Sequence, residues 1–190
     1  MILDMPVLRS DHKQAVSLRE ALVGRSLETV VYRQTEHGGL TGVPDGLCHE
    51  VDLDVVLRLS TGGVGLTWDR DDLVEGISVS AADQMSSTKG VINVDVGQTP
   101  HWRPLLGQPI RSVSLGWQTS EEGCPESLWS VRLDVGTGGS VVIALGELDG
   151  DARPSYFPDG LLVIFAESIA RSYSHLGTDG TAWADDALAR

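Results

Sequence analysis

Leu22-Val23-Gly24-Arg25-Ser26-Leu27-Glu28-Thr29-Val30 is answered later in the chain by Leu105-Leu106-Gly107-Gln108-Pro109-Ile110-Arg111-Ser112-Val113. Both times an apolar pair, a glycine and a short polar step lead into a run suited to a β-strand. Two further correspondences follow at nearly the same spacing. Thr61-Gly62-Gly63 returns as Thr137-Gly138-Gly139, and Glu75-Gly76-Ile77-Ser78-Val79 returns as Asp159-Gly160-Leu161-Leu162-Val163. Similar segments in the same order predict one β-unit used twice, with loops of unequal length.

Before the first copy, Asp11 and Gln14 stand at capping-box spacing and Ala15, Leu18 and Leu22 recur at helical intervals. A helix after Ser10 is predicted, ending where Gly24 suits the C′ position. Leu27 to Arg33 reads as a strand and Glu36 to Cys48 as a glycine-rich loop. Alternating apolar residues at Val51, Leu53, Val55, Leu57 and Leu59, then at Val64, Leu66 and Trp68, predict a hairpin over 51–68 that turns at Thr61-Gly62-Gly63. Gly76 to Val79 closes the unit as a last strand.

The connector, 80–104, is polar at Ser86-Ser87-Thr88, holds a short strand from Val91 to Val96 and ends in the proline-flanked stretch Thr99-Pro100-His101-Trp102-Arg103-Pro104. The scheme then repeats, with a strand from Ile110 to Trp117, a loop from Thr119 to Ser127, a hairpin from Leu128 to Leu145 and a strand from Leu161 to Phe165. Ala166 to His175 is predicted as a helix. The expectation is a single α+β domain, 1–190, whose mostly antiparallel, twisted sheet is built from two similar β-meander units at 22–79 and 105–165. An N-terminal and a late C-terminal helix flank it, and 177–190 is expected to be a flexible tail. The copies differ most in the loops 33–50 and 145–160, which nominates these loops for binding.

With 27 acidic against 14 basic residues, the chain carries a formal net charge of −13. Direct nucleic-acid binding is therefore disfavoured, because phosphates require a basic surface. No stretch reaches membrane-spanning length, and the N-terminus lacks the basic and apolar regions of a signal peptide, so a cytoplasmic protein without membrane contact is expected. Cys48 and Cys124 match no disulfide, zinc or redox spacing. The scarcity of lysine (Lys13, Lys89) and asparagine (Asn93) fits a GC-rich, bacterial-looking genome. Acidity of this kind reads either as solubility or as a face that meets a basic partner.

Three groups of residues carry candidate chemistry. Glu36-His37 and Cys48-His49-Glu50 close the two ends of one loop, and His37, Cys48 and His49 are the raw material of a metal site or a thiol–imidazole pair, without a recognised spacing. Glu147-Leu148-Asp149-Gly150-Asp151 offers oxygen ligands but lacks the full calcium-loop pattern, so it reads as an Asp-Gly turn. Trp102, bracketed by His101 and Arg103, reads either as an interface anchor or as a ring covering the core. Walker, dinucleotide, Gly-x-Ser-x-Gly and HExxH motifs are missing from the sequence. No cofactor is expected, and enzyme is the minority reading.

The leading expectation is a non-catalytic, acidic protein-binding module that captures a basic protein, in its most specific form an immunity- or antitoxin-type inhibitor of a toxin. Asp52, Asp54, Asp69, Asp71, Asp72, Glu75, Trp102, Asp149 and Asp151 are its expected contact residues. The alternative is a small-molecule- or metal-binding β-domain, or an enzyme, using His37, Cys48 and His49. A structural or assembly subunit forming a homo-oligomer through an exposed sheet edge is the third.

Overall fold

The computed structural model describes residues 5–36, 46–84 and 89–173. The expected N-terminal helix is α1 (His12–Leu22). Its cap is Asp11, whose carboxylate accepts the Gln14 amide at 3.1 Å, and Ala15, Leu18 and Leu22 are the residues it buries. The first half then runs through β1 (Leu27–Thr35), β2 (Cys48–Val51), β3 (Asp54–Leu59), β4 (Gly63–Asp71), β5 (Val74–Ala81) and β6 (Val91–Asp95). The second runs through β7 (Ile110–Thr119), β8 (Glu126–Val135), β9 (Gly139–Leu145), β10 (Glu147–Leu148), β11 (Pro154–Ser155), β12 (Leu161–Ile164) and α2 (Glu167–Ser172). The fold is broadly α+β, mostly antiparallel sheet with one helix towards each end.

The strands form two five-stranded sheets, ordered β5-β4-β3-β1-β6 and β2-β12-β9-β8-β7, plus the β10-β11 hairpin. In the first sheet β1, β3, β4 and β5 lie side by side in chain order, as β7, β8, β9 and β12 do in the second. One apolar cluster joins the two sheets, with Val30, Leu57, Leu66 and Ile77 from the first meeting Leu115, Leu133, Ile143 and Val163 from the second. Side chains alternate across a strand, so the intervening residues Val142, Ala144, Leu162 and Ile164 emerge on the outer face of the second sheet. Ala170 and Tyr173, in and just after α2, cover them there. Burial on both faces explains why Leu161-Leu162-Val163-Ile164 is apolar without interruption.

The stretches that open each half meet in space. Gly24 donates its amide to the Ile110 carbonyl (2.8 Å) and Gly107 to that of Leu27 (2.7 Å), while the Leu27 and Ile110 amides bond to Gln108 and Arg25 carbonyls at 3.1 and 2.9 Å. Ser26 and Pro109 form the bridge between them. Gly24 and Gly107 sit at φ +80° and +73°, a region that costs a residue with a Cβ. The pairing of β1 with β3 slips between Leu27 and Thr29, and that of β7 with β8 slips between Ile110 and Ser112. Elsewhere the N-terminal segment stitches the sheets together, Val7 donating to Ile77 of β5 (3.0 Å) and accepting from Leu128 of β8 (2.8 Å).

Three expectations need correction. Val51 does not belong to the first hairpin: the chain breaks at Asp52-Leu53, and Cys48–Val51 crosses to the second sheet, where it pairs with β12. The two Thr-Gly-Gly segments fall out of step, since the Leu59 amide bonds to the Gly62 carbonyl whereas Val135 pairs with Gly139. The loop 145–160 contains the β10-β11 hairpin. Residues 37–45, Ser86-Ser87-Thr88 and the tail 177–190 lie outside the described residues.

A Cβ placed on Gly24 or Gly107 meets open space, so the cost of alanine there is backbone strain alone. Gly24→Ala and Gly107→Ala should each lower stability in urea unfolding by about 1–2 kcal/mol. Gly76→Ala should cost more, because its Cβ would stand 2.8 Å from the Pro6 Cβ and 3.1 Å from the Leu128 carbonyl. Equal stability of all three variants and the parent would contradict this account of the seam.

Candidate functional site

Where β2 crosses between the sheets, three polar side chains from distant parts of the chain meet inside the core. Trp102 Nε1 donates to the Tyr32 hydroxyl at 2.7 Å, and that hydroxyl lies 2.8 Å from His49 Nδ1. Tyr32 and Trp102 are fully buried and His49 is 1% exposed. An indole N–H can only donate, so the tyrosine oxygen accepts from Trp102. The direction of the Tyr32–His49 bond is set by the tautomer of the imidazole. The Phe165 ring packs edge-on against both His49 and Trp102, and His101 stacks on it at 5.2 Å.

Gln34, two residues beyond Tyr32 on β1, completes the junction with its side-chain amide. It donates to the Glu50 carbonyl at 3.3 Å and accepts the Asp52 amide at 2.6 Å, acting on β2 as a neighbouring strand would. Asp52 accepts from the amide and hydroxyl of Thr35, while Asp54 pairs with Arg33 at 2.8 Å and accepts from Thr67. Burial pushes the Asp54 carboxyl up, against the opposing pull of Thr67 and Arg33.

These contacts revise the list of contact residues. Trp102 is buried and hydrogen-bonded inside, so it is no interface anchor. Asp54 is 4% exposed and committed to Arg33, and half-buried Asp52 fastens β1 to the β2–β3 connection. The metal candidates also separate. Cys48 and His49 are neighbours on a strand and face opposite ways: His49 enters the core between the sheets, and Cys48 packs outside with Leu148 and Ile169. Desolvation pushes the Cys48 thiol up to about 12, which disfavours the thiolate a nucleophile or ligand needs. His37 lies outside the described residues, and among those described no three His, Cys, Asp or Glu side chains are placed to hold a metal ion.

The acidic residues gather elsewhere, where the β4–β5 hairpin, the turn after β7 and the loop before β12 converge on Glu75. The Glu75 carbonyl accepts from Ser127 and from Trp129 Nε1, its amide donates to Ser120 at 2.8 Å, and its carboxylate accepts from the Tyr156 hydroxyl. Tyr156 stacks on Trp129 with centroids 4.8 Å apart. The nearest cation is Arg70, whose Nη1 stands 3.8 Å from the carboxylate. Burial raises the Glu75 carboxyl above the usual range; Arg70 opposes this, and Asp159 and Glu121 add to it.

Asp71, Asp72 and Leu73 at the hairpin tip and Phe157 beside Tyr156 are exposed around this carboxylate. Asp69 lies on β4, its carboxylate accepting the Arg70 amide at 2.7 Å. A second acidic group adjoins β2: Glu50 is also raised, first by burial, then by Glu147 and Asp52, against a bond from the Leu148 amide. Asp149 and Asp151 are exposed in the β10-β11 turn, where the Asp149 carboxylate accepts the Asp151 and Arg153 amides, both at 2.9 Å. Glu121 and Asp159 were missing from the expected contact residues. Their signal in the sequence was only membership of two acidic loops, because three separate turns bring them to Glu75.

No protein-family model, curated protein or solved structure matches the chain.

Two measurements follow from this geometry. Tyr32→Phe strands both the Trp102 N–H and His49 Nδ1 and should destabilise by about 2–5 kcal/mol in urea unfolding, more than Trp102→Phe, which removes one donor. Glu75 has the opposite sign from a paired carboxylate. Its raised folded value means that the folded protein binds the proton more tightly than the unfolded chain, so its contribution to stability declines as pH rises through that value. Glu75→Gln should therefore be neutral or stabilising at about pH 7, with the gain vanishing near about pH 4 where glutamic acid is itself protonated. A thermal-unfolding series across pH in which Glu75→Gln is destabilised at neutral pH would refute this.

Proposed function

We propose that the surface around Glu75 is a docking face for a basic protein and that the chain is a non-catalytic binding module. The observation that carries this reading is a half-buried carboxylate with raised proton affinity beside Asp159 and Glu121, within a rim of exposed Leu73 and Phe157. A lysine or arginine brought against Glu75 would relieve the repulsion, and the apolar rim would supply area that a purely ionic contact lacks. Inhibition of a basic toxin, in the manner of an immunity protein or antitoxin, is the specific form of this proposal. An inhibitor of that kind needs complementary charge and a held shape, and no reactive group of its own.

We also infer that the two four-strand meanders are copies of one unit. The reciprocal bonds between Gly24–Leu27 and Gly107–Ile110, together with the register slips that follow Leu27 and Ile110, support this. The copies differ by β2 in the first and by the β10-β11 hairpin in the second. These two additions adjoin one another, since the Glu50 carboxylate accepts the Leu148 amide. The unequal loops thus bring Glu50, Asp52 and Glu147 together, and the second one ends on Asp159.

The test compares the wild-type chain with an Asp71→Lys/Asp159→Lys variant as bait in the native cell. Asp72 is left intact because it sits at φ +56° in the hairpin turn. A basic protein should be captured by the wild type only, should bind the variant with an on-rate at least about tenfold slower, and should lose on-rate from about 50 to about 500 mM salt. Equal capture by both baits, or kinetics indifferent to salt, would overturn the electrostatic reading.

A further inference from the structure

We propose that β6 is the edge through which two copies of this chain pair, antiparallel and about a two-fold axis at Asn93, joining their first sheets into one. The starting point is how the four sheet edges are finished. β5 has Val7 bonded to its Ile77 carbonyl, and Ser127 and Trp129 donate to that of Glu75. β7 has Gly24 and Arg25 at Ile110 and the Arg19 side chain on the Val113 carbonyl at 3.4 Å. β2 has the Gln34 amide on its Glu50 carbonyl. β6, the remaining edge, pairs with β1 alone, and among the described residues no group is bonded to its backbone along the other side.

The phase of the β1–β6 ladder fixes which groups lie open there. Glu36 donates to the Gly90 carbonyl at 2.9 Å and Val96 to the Val30 carbonyl at 3.0 Å. Bonded and non-bonded pairs alternate along an antiparallel ladder. Ile92 and Val94 therefore also turn their backbone groups to β1, and Val91, Asn93 and Asp95 turn theirs outward. The devices that keep an edge from pairing are missing from this strand. It holds no proline or lysine, and its register with β1 runs without a bulge. Its one carboxylate, that of Asp95, is turned back to accept the Gly97 amide at 2.9 Å and the Thr29 hydroxyl at 3.2 Å.

A second copy fits this edge because the edge is complementary to itself. Antiparallel pairing must bring outward residues against outward residues, and centring on Asn93 is the register that uses all three. Asn93 then stands opposite Asn93 of the second copy, and Val91 opposite Asp95. An asparagine amide both donates and accepts, so the two exposed Asn93 side chains can bond to one another. On the other face the half-buried Ile92 meets Val94 of the second copy in an apolar cross-strand pair, continuing the cluster against which Val94 already packs. Two five-residue strands make a smaller contact than the roughly 800 Å² per partner of a standard interface, so the dissociation constant should be on the order of 100 μM. The charge of −13 on each copy opposes pairing, so salt should tighten the dimer. β5, which carries Glu75, is the opposite edge of the same sheet. The proposal therefore does not rest on the docking face, whose partner salt should weaken.

The experiment combines sedimentation velocity with residue-resolved amide exchange on the whole chain from about 10 μM to about 1 mM. Dimer should accumulate over that range, more at about 500 than at about 50 mM salt, and the Val91, Asn93 and Asp95 amides should gain protection as it does. In Asn93→Pro the N–H that is lost points outward, so the strand keeps its bonds to β1 while dimerisation weakens at least about tenfold. Should that variant fail to fold, Asn93→Cys decides. Under mild oxidation it should cross-link to itself at 93, because directly opposed Cα atoms about 5.5 Å apart suit a disulfide. A wild type that stays monomeric at about 1 mM would overturn the proposal, whether its edge is bare, covered by its own chain at every concentration or covered by another protein's strand. So would a dimer that Asn93→Pro leaves intact, or one whose Asn93→Cys form does not link at 93.

Discussion

One buried hydroxyl ties a central strand of the first sheet to the connector and to an edge strand of the second, inside the apolar cluster that joins the two sheets. Tyr32 stands on β1, accepts from an indole in the connector and is hydrogen-bonded to a histidine on a strand that pairs in the other sheet. Each of these polar groups would be costly alone in the core, and the Trp102 N–H, the Tyr32 hydroxyl and His49 Nδ1 find partners in one another. The chain between β1 and β3 must therefore pass where His49 reaches Tyr32, and the connector must fold inward far enough to bring Trp102 to the same point. The residues that follow obey the same constraint. Gln34 holds the next peptides of β2, and Asp52 and Asp54 tie the return into β3 to Thr35 and Arg33.

The local parts of this structure were legible in the sequence because their causes are local. Capping by Asp11, the helical recurrence of Ala15, Leu18 and Leu22, and the period-two pattern from Val55 onward each depend on residues within a turn or a hairpin. The crossing of β2 could not be read in the same way. Cys48-His49-Glu50-Val51 has no strong strand signature, and its partner is β12, more than a hundred residues away. Trp102 illustrates the same limit. A proline-bracketed tryptophan suits an interface or a core equally, and the choice rests on whether its N–H finds an acceptor, which depends on a tyrosine far away in the chain.

The candidate face was legible in composition and illegible in geometry. An excess of carboxylates announces a negative surface, yet the sequence does not say which of them are spent on the fold. Asp54 and Asp149 lay in the expected region but serve an ion pair and a turn. Glu121 contributes to the field at Glu75 from a loop with no other distinguishing mark. Burial raises the carboxyls of Glu75, Glu50 and Asp54 alike, and what distinguishes Asp54 is its partners. At Asp54 the charged partner Arg33 stands at 2.8 Å, whereas at Glu75 the Arg70 guanidinium stands 3.8 Å away and two carboxylates, Asp159 and Glu121, work against it.

Carboxylates whose proton affinity is raised by burial and by one another add nothing to the stability of the isolated fold in their charged form. Natural proteins keep such costs where another molecule offsets them. The placement of the costs agrees with the comparison of the two halves. Each half has four strands in chain order, a seam glycine and a register slip, and the halves differ by β2 in the first and the β10-β11 hairpin in the second. Glu50 of β2 and Glu147 of that hairpin repel one another, and Asp159 lies in the loop that follows the hairpin. Glu50 and Glu147 thus lie in the parts by which the halves differ and Glu75 on β5, and on the proposed reading a basic partner is the agent that would offset the strain at both places.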